Sequence, residues 1–201
     1  MARKTPVLNE HVKLSEGFTY ETIPLNISVK MAGKSHKEGC ALLYEDLRYV
    51  KVKHLGFDNK VHNGELVVNK SIAKDTVEIF KELYDLKYPI EKIILIDEYN
   101  ADDEASMEDN NSSAFNFRVI AGTDMISKHA YGLAIDINPL YNPYFSKKGV
   151  LPLGSRHFID RTLDLPHMIN HDDICYKIFL KHGFYWGGDF EDFKDYQHFE
   201  K

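Results

Sequence analysis

Two short segments of this 201-residue chain carry the residue types that bind zinc. The first, residues 127–136, reads SKHAYGLAID and contains His129 and Asp136. The second, residues 195–200, reads DYQHFE and contains His198. Two imidazoles, a carboxylate ligand and a spare carboxylate are what a catalytic zinc site with an open coordination position requires. The two segments therefore predict a zinc hydrolase.

The residues around the first segment indicate how its ligands are positioned. After the glycine of that segment, apolar residues alternate with small or polar ones, which predicts a strand with one apolar face. Leu133, Ile135 and Ile137 occupy that face, so Asp136 points to the other side. Because glycine permits a turn before the strand, the imidazole of His129 can come back beside the carboxylate.

The third ligand must come from elsewhere, and His198 is the best candidate. Aromatic residues near it in sequence can build a wall that orders the ring: Trp186, Phe190, Phe193 and Phe199. Asp195 precedes His198 by three residues, close enough to lie near the metal without binding it. We therefore expect Asp195 to act as the general base, with Glu200 the next carboxylate to test.

These motifs resemble a known family. Ser-x-His-x-x-Gly-x-Ala-x-Asp, followed far downstream by Trp-Gly-Gly-Asp and Asp-x-x-His-Phe, is similar to the M15 zinc peptidases. That family includes D-alanyl-D-alanine carboxypeptidases, dipeptidases and L-alanyl-D-glutamate endopeptidases of bacterial cell walls and phage lysins. The resemblance is dense over about residues 102–201. It implies that His129, Asp136 and His198 bind Zn²⁺ and that Asp195 is the base.

The same resemblance implies a fold, a substrate and a location. The fold would be α+β, a single domain whose small antiparallel sheet carries the zinc site with helices packed on it, as in DD-peptidase and hedgehog-like proteins. The substrate would be a peptidoglycan stem peptide, and the location extracytoplasmic: secreted, periplasmic or associated with the cell wall.

The branch of the family depends on the residue at the base position. Carboxypeptidases and dipeptidases usually have Glu there, whereas L-alanyl-D-glutamate endopeptidases have Asp, as here at Asp195. The resemblance thus favours the endopeptidase, with a D-alanyl-D-alanine carboxypeptidase as the alternative. An alternative from another class is a non-catalytic, zinc-stabilised module that binds the cell wall.

Arg118 is the candidate substrate-binding cation. A guanidinium can hold a substrate carboxylate with two hydrogen bonds, or stabilise the oxyanion that forms when water attacks a peptide carbonyl. Relatives in the family keep an Arg upstream of the first His. The alternative is that Arg118 pairs with a structural carboxylate in the acidic stretch 102–109. Ser113 and Asn116 are predicted to line the same pocket, and Ser127 to support the metal ligands from behind.

Composition excludes several other classes of protein. The net charge of −6, from 25 Lys and Arg against 31 Asp and Glu, argues against a nucleic-acid partner. No apolar run approaches the length of a membrane span, and no signal peptide is visible after Met1. We expect a monomer.

Cys40 and Cys175 fall in apolar helical patterns, so buried thiols are predicted, with a disulfide left open.

We expect an N-terminal extension or arm over residues 1–35, followed by the peptidase domain over residues 36–201. Turn residues and hydrophobic spacing predict the elements. Strands are expected at residues 23–29, 65–69 and 92–97, and helices at residues 40–50, at 71–87 with Ser71 as its cap, and from Asp172 or Asp173 to Gly183. Residues 141–170 are expected to form a long loop at the rim of the substrate site.

Overall fold

A computed structural model describes residues 10–120, 125–163 and 165–201. It confirms the predicted α+β class. The strands are β1 (His11–Ser15), β2 (Phe18–Thr22), β3 (Leu47–Leu55), β4 (Val61–Asn69), β5 (Ala134–Asp136), β6 (Tyr144–Ser146), β7 (Gly149–Leu151), β8 (Tyr185–Trp186), β9 (Lys194–Asp195) and β10 (His198–Glu200). The α-helices are α1 (Leu25–Met31), α2 (Ala73–Asp85), α3 (Asp103–Glu108) and α4 (Ile174–Lys181). Short 3₁₀ helices cover Tyr44–Asp46, Ile96–Tyr99, Lys128–Tyr131, Leu153–Phe158 and Gly187–Asp189.

The largest sheet is antiparallel and has the order β1-β2-β3-β4. Helix α2 lies against it, and its buried residues Ile79, Phe80 and Leu83 recur at the spacing of one helical face. These side chains join Val50 and Val52 of β3 in the main hydrophobic core. The sheet and α2 therefore form the scaffold behind the candidate site.

Two small antiparallel sheets carry the candidate site. The first has the order β5-β10-β8, and in its register His198 lies directly opposite Asp136. The second has the order β7-β6-β9, with Asp195 opposite Tyr144. The strand predicted after Gly132 is thus confirmed as β5, and pairing with β10 brings the C-terminal motif to it.

Helix α4 packs against β10. The ring of Phe179 stacks on that of Phe199 at a centroid distance of 4.1 Å, and both side chains are fully buried. Helix α4 begins as predicted, because the side chain of Asp173 caps it by accepting a hydrogen bond from the Cys175 amide. Lys201, at the end of the chain, pairs with Asp75 of α2 at 2.7 Å.

The described part of the predicted N-terminal extension or arm is residues 10–35, and the first nine residues of the arm lie outside the described part of the chain. Strand β2 pairs with β3, so this segment extends the main sheet. The strand predicted at residues 23–29 is wrong, because α1 occupies this region. Ile27 and Met31, four residues apart, are buried, whereas Leu25 and Val29 are exposed, which is the pattern of a helix with one buried face.

Two further predicted elements and one predicted cap are wrong, whereas the helix predicted at residues 71–87 is present as α2. Residues 40–50 contain a 3₁₀ turn and the start of β3, because pairing with β2 and β4 on both sides holds this segment extended. Ser71 does not cap α2; its hydroxyl donates to the Asn69 side chain, and the helix begins after Ile72. Residues 92–97 make only an isolated bridge from Lys92 to Asn111 before the 3₁₀ helix Ile96–Tyr99.

Other predictions hold with changed boundaries or detail. The strand predicted at residues 65–69 is the second half of β4. The rim segment, residues 141–170, contains the β6–β7 hairpin and a 3₁₀ helix. Cys40 and Cys175 are free thiols, half-buried and buried respectively. Among the described residues, no helix has both the length and the apolar character needed to cross a bilayer.

Gly132 joins the site to the main sheet, and we predict that Gly132→Ala destabilises the fold. Its φ is +63°, and a Cβ there would lie 2.6 Å from the backbone nitrogen of Asn69. Gly33 is a matched control, because its φ is +76° but, apart from its chain neighbours, no described residue has an atom within 4 Å of the added Cβ.

Gly33→Ala should therefore cost only the strain of a left-handed residue, about 1–2 kcal/mol. Gly132→Ala should cost about 1–3 kcal/mol more, because the backbone of β4 must move. Urea unfolding of both variants measures the difference. Equal losses of unfolding free energy would show that the close approach to β4 is unimportant.

Candidate metal and catalytic site

The structure brings His129, Asp136 and His198 into one buried cluster. The distance from His129 Nε2 to Asp136 Oδ2 is 3.1 Å, and that from His198 Nδ1 to Asp136 Oδ1 is 3.0 Å. His129 Nε2 lies 3.1 Å from His198 Nδ1. One nitrogen of each ring and one carboxylate therefore converge on a common point, and this cluster could hold a metal ion.

The local fold of residues 127–132 orients His129. The hydroxyl of Ser127 caps the 3₁₀ helix by accepting a hydrogen bond from the His129 amide at 3.2 Å. The Nδ1 atom of His129 lies 2.6 Å from the carbonyl oxygen of Ala114. A carbonyl can only accept, so Nδ1 carries the proton and Nε2 presents its lone pair to the cluster. Ser127 thus helps to position the candidate ligand His129 by binding its backbone amide, in line with the supporting role that the sequence predicts.

The second imidazole, that of His198, faces the cluster with Nδ1, whereas His129 faces it with Nε2. His198 Nε2 lies 3.1 Å from Oε2 of Glu200, two residues further along β10. This carboxylate accepts the Nε2 proton, so Nδ1 is the free ligand atom. Each candidate His ligand therefore has its second nitrogen engaged, which is the arrangement that sets ring orientation in metal sites.

The electrostatics of the cluster follow from burial and close contact. Burial opposes the charge on Asp136, but His129 and His198 outweigh it and hold the pKa of this carboxyl well below its usual range. Burial likewise opposes a charged His198, but hydrogen bonds to Asp136 and Glu200 raise its pKa to about 10. The pKa of Glu200 is lowered, chiefly by its hydrogen bond to His198. The cluster is thus strongly attractive to positive charge.

The donor set and its spacing fit zinc. Zinc–ligand distances of about 2.0–2.1 Å place neighbouring ligand atoms of a tetrahedron about 3.3 Å apart. The three contacts within the cluster measure 3.1, 3.1 and 3.0 Å. Two imidazole nitrogens and one carboxylate oxygen are ligands that zinc prefers, and three protein ligands leave a fourth position open.

Asp195 lies beside the cluster on the wall of the cavity, whose volume is about 460 Å³. Its Oδ1 is buried and has no hydrogen-bond partner among the described residues. Burial raises the pKa of the Asp195 carboxyl to about 6, against the opposing charge of His198. A carboxylate with a pKa near neutrality is suited to accept and return a proton.

The Trp-Gly-Gly-Asp motif supports this carboxylate. A Cβ on Gly187 would lie 2.5 Å from the carbonyl oxygen of Asp195 and 3.1 Å from Cβ of His198. Only glycine allows so close an approach. Only two of the four aromatic residues predicted to form a wall near His198 lie at the cavity. Phe190 and Phe193 line it, whereas Trp186 and Phe199 belong to the hydrophobic core.

Arg118 lies on the same cavity wall and pairs with Asp103 of α3. The distance from Arg118 Nη2 to Asp103 Oδ2 is 2.8 Å, and both residues line the cavity. This pairing matches the predicted alternative, in which Arg118 contacts the acidic stretch. Its location nevertheless leaves Arg118 available to substrate, and its Nε is buried without a hydrogen-bond partner among the described residues.

Ser113 and Asn116 lie behind the cluster and are not among the residues that line the cavity. The backbone of Ser113 pairs with that of Asp136 in both directions, at 3.1 and 2.9 Å. The amide of Asn116 donates to the carbonyl of His129 at 3.2 Å. These contacts position the candidate ligands, whereas the substrate-binding role of Ser113 and Asn116 stays a prediction.

A second group of potential ligands, Asp75, Glu78 and His182, lies between α2 and the end of α4. Its carboxylates already have cationic partners: Lys201 lies 2.7 Å from Asp75, and Lys74 lies 2.7 Å from Glu78. We interpret this group as an ion-pair network that attaches the C-terminus to α2.

Comparison with protein families supports the geometry. Residues 121–201 match the sequence profile of an M15 peptidase family described as D-alanyl-D-alanine carboxypeptidase. The match covers less than half of the chain and includes the three residues of the buried cluster. Together with that cluster, it identifies the protein as a zinc-dependent metallopeptidase that acts on a peptide substrate. Comparison with curated proteins and with solved structures gives no significant match.

We predict that Glu200→Ala weakens zinc binding about 10- to 100-fold, because His198 loses the carboxylate that orients it. Glu200→Gln should have a smaller effect, since an amide oxygen can still accept the Nε2 proton. Competition with a zinc chelator measures both affinities. At saturating zinc, Glu200→Ala should retain hydrolysis. Loss of hydrolysis with zinc bound would point instead to Glu200 as the base.

Proposed function

We propose that the protein hydrolyses peptidoglycan stem peptides and that it is an L-alanyl-D-glutamate endopeptidase. The observation that carries the proposal is the buried cluster of His129, Asp136 and His198, with the carboxylate of Asp195 beside it on the wall of one cavity. The M15 family match supports the class of reaction. The particular bond rests on the resemblance described above, through the Asp at position 195.

In this proposal His129 Nε2, one carboxylate oxygen of Asp136 and His198 Nδ1 hold the zinc. When bound there, the ion would polarise the scissile carbonyl and acidify the attacking water. Ala114 and Glu200 keep the two rings in the ligating tautomers through their hydrogen bonds to the opposite nitrogens.

Asp195 moves the proton. Its carboxylate accepts a proton from the attacking water and later gives it to the amine of the departing peptide. Its Oδ1 has no hydrogen-bond partner among the described residues, which supports this role. Pairing of β9 with β6 and contact with Gly187 hold the carboxylate in place.

Arg118 binds a carboxylate of the substrate in this proposal. A guanidinium offers two parallel hydrogen bonds to a carboxylate. Arg118 lines the cavity beside its contact with Asp103, and its Nε has no hydrogen-bond partner in the described part of the chain. An endopeptidase would place there the α-carboxylate of a D-glutamyl residue, whose chain continues through its side chain. A carboxypeptidase would place there the C-terminal carboxylate beside the cleaved bond.

A D-alanyl-D-alanine carboxypeptidase is the second candidate, because that is the description of the matching family. Purified stem pentapeptide is incubated with the zinc-loaded protein, and the remaining peptide is sequenced by tandem mass spectrometry. Fragmentation is needed because loss of an alanine from either end gives products of the same mass. We expect release of the N-terminal alanine. Loss of one alanine from the C-terminus would refute the endopeptidase and support the carboxypeptidase.

The same assay tests the alternative of another class, a non-catalytic module that binds the cell wall. Wild-type protein that binds the pentapeptide but leaves it intact would support this alternative. We further propose a monomer that acts outside the cytoplasm, since its substrate is part of the cell wall. The peptidase domain is proposed to span residues 36–201, with residues 1–35 as an extension whose described part completes the main sheet.

A further inference from the structure

Three residues on the cavity wall hold buried polar atoms that have no hydrogen-bond partner in the described part of the chain. They are Arg118 at Nε, Asp195 at Oδ1 and Gln197 at Oε1. Unpaired polar atoms are costly in a folded interior and mark sites where an external partner is missing. Arg118 and Asp195 already have roles in the proposed reaction, whereas Gln197 has none.

Gln197 lies between the proposed base and a proposed zinc ligand in sequence, and its side chain is only 2% exposed. Its backbone is fixed, because its carbonyl accepts a hydrogen bond from the Ile137 amide at 3.0 Å. Its side-chain Nε2 contacts the thioether sulfur of Met107 at 3.4 Å. A thioether is a weak acceptor. The carboxamide also donates a hydrogen bond to the Asp195 carboxylate, which lowers the pKa of that carboxyl, so the donor side of Gln197 is engaged. Its Oε1 has no hydrogen-bond partner among the described residues.

We propose that Gln197 is a substrate-binding residue whose carboxamide pairs with a peptide unit adjacent to the scissile bond. This inference rests on the proposed peptidase function. Oε1 can accept a hydrogen bond from a peptide N–H, and it is the side-chain atom of Gln197 that the described part of the chain leaves without a partner. The carboxamide also adds no charge beside Asp136 and Asp195, where another carboxylate would be repelled.

Asn142 serves as a comparison for Gln197, because its side-chain amide is fully buried and has a structural role. Its Nδ2 donates to the carbonyls of Asn138 and His167 at 3.1 and 3.0 Å. Its Oδ1 accepts from the Ile169 amide at 2.7 Å and from Arg161 Nη2 at 2.8 Å. The amide of Asn142 is saturated by the fold, whereas that of Gln197 is not.

This contrast gives a stability test. Gln197→Met keeps the length of the side chain and removes unpaired polar atoms, so the melting temperature should equal or exceed that of wild type. Asn142→Leu leaves several buried groups without partners and should lower it by about 5 °C or more. An equally large fall for Gln197→Met would assign Gln197 a structural role and overturn the proposal.

Binding is tested without turnover, in the zinc-loaded Asp195→Asn protein with and without Gln197→Met. Isothermal titration calorimetry with the stem pentapeptide should give a Kd about tenfold higher in the double variant, equivalent to about 1.4 kcal/mol. Equal Kd values would overturn the role of Gln197 while leaving the proposed function intact. A zinc-loaded parent that fails to bind would instead overturn the proposed substrate, and this inference with it.

Discussion

Replacement of Asp195 by asparagine is expected to lower the rate of stem-peptide hydrolysis about 10³-fold while zinc content stays at the wild-type level. A positioned general base typically contributes about 10²–10⁴-fold to a rate, and asparagine cannot accept the proton. The three proposed ligands remain in place, because the side chain of Asp195 is not part of their cluster. Loss of the buried charge also removes repulsion by Asp136, so the fold should not be weakened.

The matched control is Asp192→Asn, which makes the same substitution at an exposed position three residues away. It should hydrolyse the peptide at the wild-type rate. Hydrolysis by purified protein and zinc content by elemental analysis are measured on the same samples. If Asp195→Asn loses zinc as well, Asp195 is a ligand and its assignment as base is wrong. A near-normal rate would require another base, and Glu200 would be the first to test.

The metal cluster was predictable because its first half is encoded locally. The alternation after Gly132 correctly predicts β5 and the face on which Asp136 lies, and the glycine supplies the turn that precedes it. The position of His198 opposite Asp136 depends on the pairing of two strands whose facing residues are 62 positions apart in sequence. No local pattern specifies that register, so His198 could be proposed only from its aromatic neighbours and from the resemblance of its motif to a family.

The N-terminal region was predicted less well because local spacing is ambiguous there. Leu43, Leu47 and Val50 fit one face of a helix, yet Leu47 and Val50 lie in a strand that pairs on both sides. Sheet pairing overrides such short-range preferences, since each paired residue gains backbone hydrogen bonds and cross-strand contacts. The reverse error occurred at α1, where a strand was predicted at residues 23–29 and the chain forms a helix.

The walls of the cavity were only partly predictable. Arg118 could be recognised by its charge, but its partner Asp103 is one of several acidic residues with similar local sequence. Gln197 carries no signal in sequence that distinguishes it from a solvent-exposed glutamine. Its importance emerges only from burial beside a cavity without a hydrogen-bond partner for Oε1.

His129 is proposed to bind zinc, and His54 provides a matched control for its replacement. His54 and His129 are each 3% exposed. Their Nδ1 atoms lie 2.7 and 2.6 Å from the backbone carbonyl oxygens of Ile90 and Ala114. Replacement of either by alanine should therefore damage packing to a similar extent, and only His129 has its other nitrogen in the cluster with Asp136.

Elemental analysis of the purified proteins tests the claim most directly. Wild type and His54→Ala should each contain about one zinc per chain, as expected for a single site with three protein ligands. His129→Ala should contain less than about a tenth of that amount and should not hydrolyse the peptide, because two remaining ligands bind zinc weakly. Equal zinc in His129→Ala and wild type would contradict the account.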